Sequence, residues 1–335
     1  SLYAVTSASV ASHNPNTSTD FGIIVALEGA GAEAFNILDV ILDGSDYAAA
    51  LLGSYPAVAC TTVWSTGSTT GTFFLGSTIR LLGEEGWDDA VIGHEHGHFI
   101  DFLYSATDSP GGPHFLGDNN QDIRLSYGEG VATYHMSASR RHLGRPSPPS
   151  YIDCTAAVGA GNLNFSFEIE GPNIAAIGAA SEVTVAAVLW DILDSPSSDD
   201  LYPGDDDPLS RSIAELWEVM DVYIPTAVNI SLEDFWDGWF APAVNNGFLT
   251  EMREVFGALT CEFFPDAHES DGTAATASIV PVDGTPQLHN FYASGDTDFA
   301  RFTSPAIGSP FILETGSLFG DANTTLSIID QNGTS

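Results

Sequence analysis

Residues 91 to 102 read VIGHEHGHFIDF and hold His94, Glu95 and His98 in the order His-Glu-x-x-His. A helix turns about 100° per residue, so positions four apart share a face. On a helix, His94 and His98 therefore point the same way, as two imidazoles on one divalent ion must. Glu95 stands beside them, within reach of a water on that ion. The chemistry this constellation suits is zinc-assisted hydrolysis, in which the metal acidifies a water and a glutamate takes its proton. His96 lies two residues from each histidine, faces away and reads as structural.

A catalytic zinc usually has three protein ligands and keeps a fourth position for water. A third histidine six residues after His98 would fall at Tyr104, and the glycine expected with it would fall at Asp101, so the metzincin spacing fails. Two choices remain for the third ligand, a carboxylate on a following helix or His114 in the intervening loop. Glu129 is favoured, because it opens a helix between Gly128 and Gly130, which permit close backbone approach. An oxyanion would also need a donor. Tyr127, Tyr134, His135 and His114 are the candidates, and Tyr134 and His135 lie off the Glu129 face of their helix.

The elements that must position these groups follow from periodicity. Residues 32 to 52 carry Phe35, Leu38, Ile41 and Leu42 at helical spacing, with Gly53 and Pro56 after them. Two extended segments, 58 to 65 and 72 to 82, predict a hairpin just before the metal helix. Its edge is either an ordinary sheet edge or, as in zincins, the border of a cleft that an extended peptide joins as a further strand. Residues 127 to 140 predict a second helix, and 179 to 194 another. On the latter, Glu182 shares an apolar stripe with Val185, Ala186, Leu189 and Leu193. Buried there, Glu182 needs a partner, either a ligand histidine's free N–H or an arginine. Residues 145 to 153 read as a linker-like loop and 163 to 169 as a short strand. Helices are expected near 210 to 221, 231 to 240 and 246 to 259, the second opened by a capping arrangement of Ser231 with Asp234.

These ordered motifs resemble the gluzincin class of metallopeptidases, and fungalysins most. The resemblance rests on His-Glu-x-Gly-His, on Gly-Glu-Gly at 128 to 130 and on Glu-Val at 182 and 183, and it covers roughly residues 72 to 194. It implies His94, His98 and Glu129 as zinc ligands and Glu95 as general base. Glu182 becomes the candidate to orient a ligand histidine. Two positions depart from the family: Thr133 stands where an aspartate follows the ligand by one turn, and Ser181 replaces the glycine before Glu182.

Composition sets the surroundings. The chain has 335 residues, 8 basic against 45 acidic and a formal net charge of -37, and every basic residue is arginine. Such a surface repels nucleic acid and anionic membranes and favours divalent cations. Calcium is accordingly a second expected cofactor. Asp118 and Asp122 in the loop before the second helix, and Asp205, Asp206 and Asp207 in a Pro/Gly/Asp loop, are its candidate ligands, against a reading as solvated turns. No apolar run approaches a membrane span, and Ser1 opens the chain without a basic leader, which reads as a mature secreted or cell-surface chain. Cys60, Cys154 and Cys261 permit at most one disulfide.

The expected fold is thus an α+β zincin-like metallopeptidase domain, a mixed sheet plus a helical half, over 1–265, with N-terminal strands within 1–31. A small all-β sandwich follows over 266–335, where alternating segments replace helical periodicity. That sandwich resembles the bacterial pre-peptidase C-terminal domain in its aromatic-x-x-Gly-Asp-x-Asp-Phe segment and its late Leu-x-Ile-x-Asp-x-Asn-Gly. The family carries further strands, so an open edge and self-association through it are expected. The expected activity is that of a secreted zinc endopeptidase acting on protein or peptide. The rival is an extracellular structural or adhesive protein, a filament or assembly subunit that keeps the zincin fold.

Overall fold

The computed structural model describes residues 18, 24–27, 31–105, 107–154, 165–171, 176–194, 208–264, 266, 268, 270–287, 289, 297–303, 312–316, 325 and 327–329. Most of the segment expected to form strands before residue 31, Asp205 to Asp207, and about half of the expected sandwich lie outside these residues, while 24–27 are described and are not strand. Two compact units divide the chain, the first formed by 1–104 with 131–169 and the second by 105–130 with 170–335. The expected boundary between 265 and 266 falls inside the second unit.

The first unit begins with helix α1, Ala32–Leu52, bounded at both ends by glycines in the left-handed region, Gly31 and Gly53. Its buried face is Ile37, Ile41, Gly44 and Ala48, whereas Phe35, Leu38 and Leu42 are exposed, so the helix is rotated from the expected stripe. The reason is Gly44. A Cβ there would come within 2.4 Å of the His96 ring, so the glycine admits the imidazole and sets which side of α1 faces inward. Strands β1, Thr61–Val63, β2, Phe73–Leu75, and β3, Thr78–Arg80, form a three-stranded sheet in the order β1-β3-β2.

The expected hairpin is differently built. The second segment folds back on itself at Gly76, whose φ is 63°, to pair β2 antiparallel with β3, and β1 joins β3 in parallel. Ile79 and Leu81 pack with Ile37, Ile41 and Ile92 into a core that Trp64, Cys60 and Phe74 partly cover. Each such fully buried aliphatic side chain stabilises the fold by about 1.5–3 kcal/mol relative to exposure. A short 3-10 turn, Glu84–Trp87, leads into helix α2, Asp89–Tyr104.

Helix α3, Ile123–His142, is unbroken, and its residues from 131 onward belong to the first unit. Strands β4, Ser150–Asp153, and β5, Phe165–Glu168, pair antiparallel. β4 lies in the segment expected to be a loop, where three prolines mask the strand that follows them. Arg140 on α3 donates to the carbonyls of Ser150 and Pro146, each at 2.9 Å, and so holds the turn into β4. Arg145 makes a two-pronged ion pair with Asp43, both bonds at 2.6 Å.

The second unit is mostly helical. Helix α4, Glu182–Leu193, starts at Ser181, whose hydroxyl accepts from the Thr184 N–H. Helix α5, Ile213–Glu218, has a full capping box between Ser212 and Glu215 and runs on as a π turn, Val219–Tyr223. Arg211 pairs with Glu215 in this corner. Helices α6, Leu232–Phe240, and α7, Leu249–Ala258, follow. At the start of α6 the Asp234 carboxylate accepts from the Ser231 N–H at 2.8 Å and its hydroxyl at 3.1 Å. Farther on, β6, Ser278–Ile279, pairs in parallel with β7, Ala300–Arg301. All three cysteines are free thiols. Among the described residues no helix is long and apolar enough to cross a membrane.

Candidate metal centre

Helix α2 carries the motif, and its packing against α3 is set by two glycines. A Cβ on Gly97 would lie 2.6 Å from the Ala132 carbonyl oxygen and 2.7 Å from its Cα, so the two backbones meet there with nothing between. A Cβ on Gly93 would meet the Met136 side chain at 2.9 Å. The close approach brings the His94 Nδ1 to 2.9 Å from Thr133 Oγ1. With that nitrogen engaged by the hydroxyl, Nε2 is left as the ligand atom. The His94 and His98 rings stand 4.7 Å apart at 89°. Phe74 of β2 stacks on His98 at 6.5 Å, and Tyr151 of β4 meets His94 edge-on at 6.0 Å.

Glu129 sits one turn before Thr133 on the same unbroken helix, so the two share a face of α3. Two imidazoles and one carboxylate are the donor set of a catalytic zinc site. Glu95, between the two histidines, and Glu129 are both buried.

Within the second unit, Glu129 faces two further groups. His114 Nε2 lies 3.4 Å from Glu129 and 3.6 Å from Glu182. Gln121 Nε2 donates to Glu182 at 3.3 Å. Glu182 therefore meets the Gln121 amide and His114. Gly130 allows this arrangement, since a Cβ there would lie 2.4 Å from the Val185 Cβ and 2.8 Å from the Glu182 carbonyl oxygen.

The other expected candidates separate cleanly. Tyr134 and His135 point into the packing of α1 against α2 and α3. His135 Nε2 lies 3.3 Å from His96 Nδ1, and its ring meets Tyr47 at 5.2 Å. Burial pushes the Tyr134 hydroxyl well up and His135 well down, as fits uncharged interior groups. On α3 both lie off the face that carries Glu129. His96 belongs to the same interior, and burial lowers it to about 4. Tyr127 is buried, while His114 is exposed beside Glu129.

Asp118 and Asp122, the expected calcium ligands, each make local bonds. Asp118 Oδ1 accepts the Asn120 N–H at 2.9 Å, and Asp122 is held by Arg124 through two bonds of 3.0 and 2.8 Å. Asp122 is depressed by Arg124, the sign of a satisfied surface pair. Metal-compatible groupings form elsewhere, at Glu85, Asp88 and Asp153 and at Asp266, His289 and Asp298. Sequence reasoning missed both, since each joins residues far apart in the chain. It also missed Gln121, Phe74 and Tyr151 as neighbours of the site, and nothing in their local sequence marks them.

An uncharacterized protein of Archaeoglobus fulgidus is 32% identical over 127 residues, which make up 36% of this chain and 32% of that protein. The matched segment thus spans about a third of the relative's length. No family model matches the chain, and no solved structure matches it.

Proposed function

We propose that this chain is a zinc-dependent endopeptidase of gluzincin type with a zincin-like fold, secreted or held at the cell surface. The observation that carries the reading is the pair of His94 and His98 on one face of α2, their rings 4.7 Å apart, with Glu95 between them and the His94 Nδ1 2.9 Å from Thr133 Oγ1. His94, His98 and Glu129 would hold the ion. Zinc in that set supplies a Lewis acid that polarises the scissile carbonyl and brings the pKa of a water toward neutrality. Glu95 accepts the proton of the attacking water and returns it to the leaving amine. Thr133 keeps His94 in the tautomer and orientation a ligand needs, the task an aspartate performs in the family the chain resembles. His114, exposed and 3.4 Å from Glu129, is the best placed donor for a developing oxyanion.

The test is zinc stoichiometry of the purified chain together with cleavage of an unstructured protein. One zinc per chain in wild type, lost in His98→Ala, and cleavage lost in a zinc-replete Glu95→Gln are expected. Failure to take up zinc from excess metal would refute the reading and leave the structural or adhesive role.

A further inference from the structure

A second group of acids sits in the first unit at the other end of the metal helix. Glu85 belongs to the 3-10 turn, Asp88 is the residue just before α2, and Asp153 ends β4. Asp88 precedes His94 by six residues, about 9 Å along a helix axis. Carboxylate oxygens of the three lie within 4.8 Å of one another. Glu85 is 3% exposed and Asp88 4%. The Thr72 hydroxyl donates to Glu85 Oε1 at 3.2 Å, and the Cys154 N–H donates to Asp88 Oδ2 at 3.3 Å. Glu85 Oε2 is shut off from water and meets no hydrogen-bond donor. Buried carboxylates beside one another are unfavourable unless a cation or a shared proton offsets them. Burial, with Asp88 and Asp153 alongside, raises Glu85 to about 8.

We propose that Glu85, Asp88 and Asp153 hold a calcium ion that ties the first turn of α2 to the end of β4. The donors are hard oxygens. Calcium takes six to eight of them at about 2.3–2.6 Å in flexible geometry and suits an irregular set of carboxylates, whereas magnesium at about 2.1 Å demands a near-ideal octahedron and keeps several of its waters. The ion would fix two supports of His94 together. The Asp88 carbonyl accepts the Ile92 N–H at 2.9 Å and so opens α2, and Tyr151 of β4 packs against the His94 ring. This inference stands apart from the zinc reading, since it uses none of the zinc ligands.

The experiment titrates calcium chloride calorimetrically into the full chain, loaded with zinc, for wild type, Glu85→Gln and Asp153→Asn, with magnesium chloride as a parallel arm. Wild type binds one more calcium per chain than either variant, or binds it at least tenfold more tightly, and magnesium at equal concentration does not replace it. In calcium-free buffer Glu85→Gln keeps the shape of a protonated carboxyl and melts no lower than wild type, so lost binding there is not misfolding. Should Asp153→Asn fail to fold, Glu85→Gln carries the test alone. Equal calcium number and affinity in wild type and Glu85→Gln overturns the proposal and leaves a proton shared between Glu85 and Asp88. Equal binding of magnesium at this position overturns the choice of ion.

Discussion

Replacing Gly97 with alanine tests whether the register of α2 against α3 makes the metal centre. The new methyl would lie 2.6 Å from a backbone oxygen and 2.7 Å from a backbone Cα of Ala132, and neither can rotate away. Restoring ordinary contact at 3.4 Å requires the helices to part by about 0.8 Å. Over-packing of this kind costs about 1–3 kcal/mol, offset by about 1 kcal/mol because alanine favours the helix more than glycine does. The metal-free chain should therefore lose up to about 2 kcal/mol in urea unfolding. Glu129 and Thr133 move with α3, and a displacement beyond roughly 0.5 Å spoils a ligand set. Zinc affinity, measured by competition with a chelator, should fall at least tenfold.

Gly93→Ala is the matched control. Its methyl meets the Met136 Cγ at 2.9 Å, and a thioether side chain can swing aside, so stability should change by less than about 0.5 kcal/mol and zinc affinity by less than a factor of about three. If Gly97→Ala matched Gly93→Ala in both measurements, the close approach would not be what builds the site.

Thr133→Val keeps the shape and removes the hydroxyl, so zinc affinity should fall by about ten- to a hundredfold while the metal-free melting curve barely moves. Asp108 accepts the N–H groups of Asn229 and Ile230 at 2.8 and 3.0 Å, and Asp108→Ala should cost about 1–3 kcal/mol by leaving them unpaired. Glu85 gives a pH signature. Its folded pKa, about 8, lies above the usual carboxylate value, so the folded state binds more protons than the unfolded one from about pH 4.5 to 8. This group's contribution to stability is complete below that window and is lost as pH rises through it. In calcium-free urea melts, the wild-type midpoint should fall over this range more steeply than that of Glu85→Gln. Parallel pH profiles would show that Glu85 is not held protonated.

The helices were the legible part of the fold. Residues 32 to 52 form α1 as their spacing predicts, and the motif helix and the helix carrying Glu129 are both present, because a helix declares itself through local repetition. Its inward face was not legible. Gly44 against His96 rotates α1, and that contact spans 52 positions of sequence. Three-residue strands leave too short a pattern to assign partners, which is why one segment proved to hold both β2 and β3. At the candidate site, spacing alone places His94 and His98 on one face of α2, and flanking glycines single out Glu129. Thr133 was visible as a departure from the resembled family, yet its bond to His94 depends on how α2 meets α3. Gln121 and Tyr151 reach their neighbours only through folding, and no local signal names them.

Four of the eight arginines are spent on particular tasks: Arg140 on two carbonyls, Arg145 on Asp43, Arg124 on Asp122 and Arg211 on Glu215. They neutralise almost none of the surface. A net charge of -37 over 18186 Å² leaves about one uncompensated charge per 490 Å², or one every 22 Å or so. The Debye length is about 30 Å at 0.01 M salt and about 10 Å at 0.1 M. Between those concentrations the screening distance crosses the spacing of the charges. In dilute buffer each charge repels its neighbours across the whole surface, and in brine each is isolated. Dissolved salt thereby takes the place that lysine fills in most proteins, and the stability of this chain becomes a property of the water it is in.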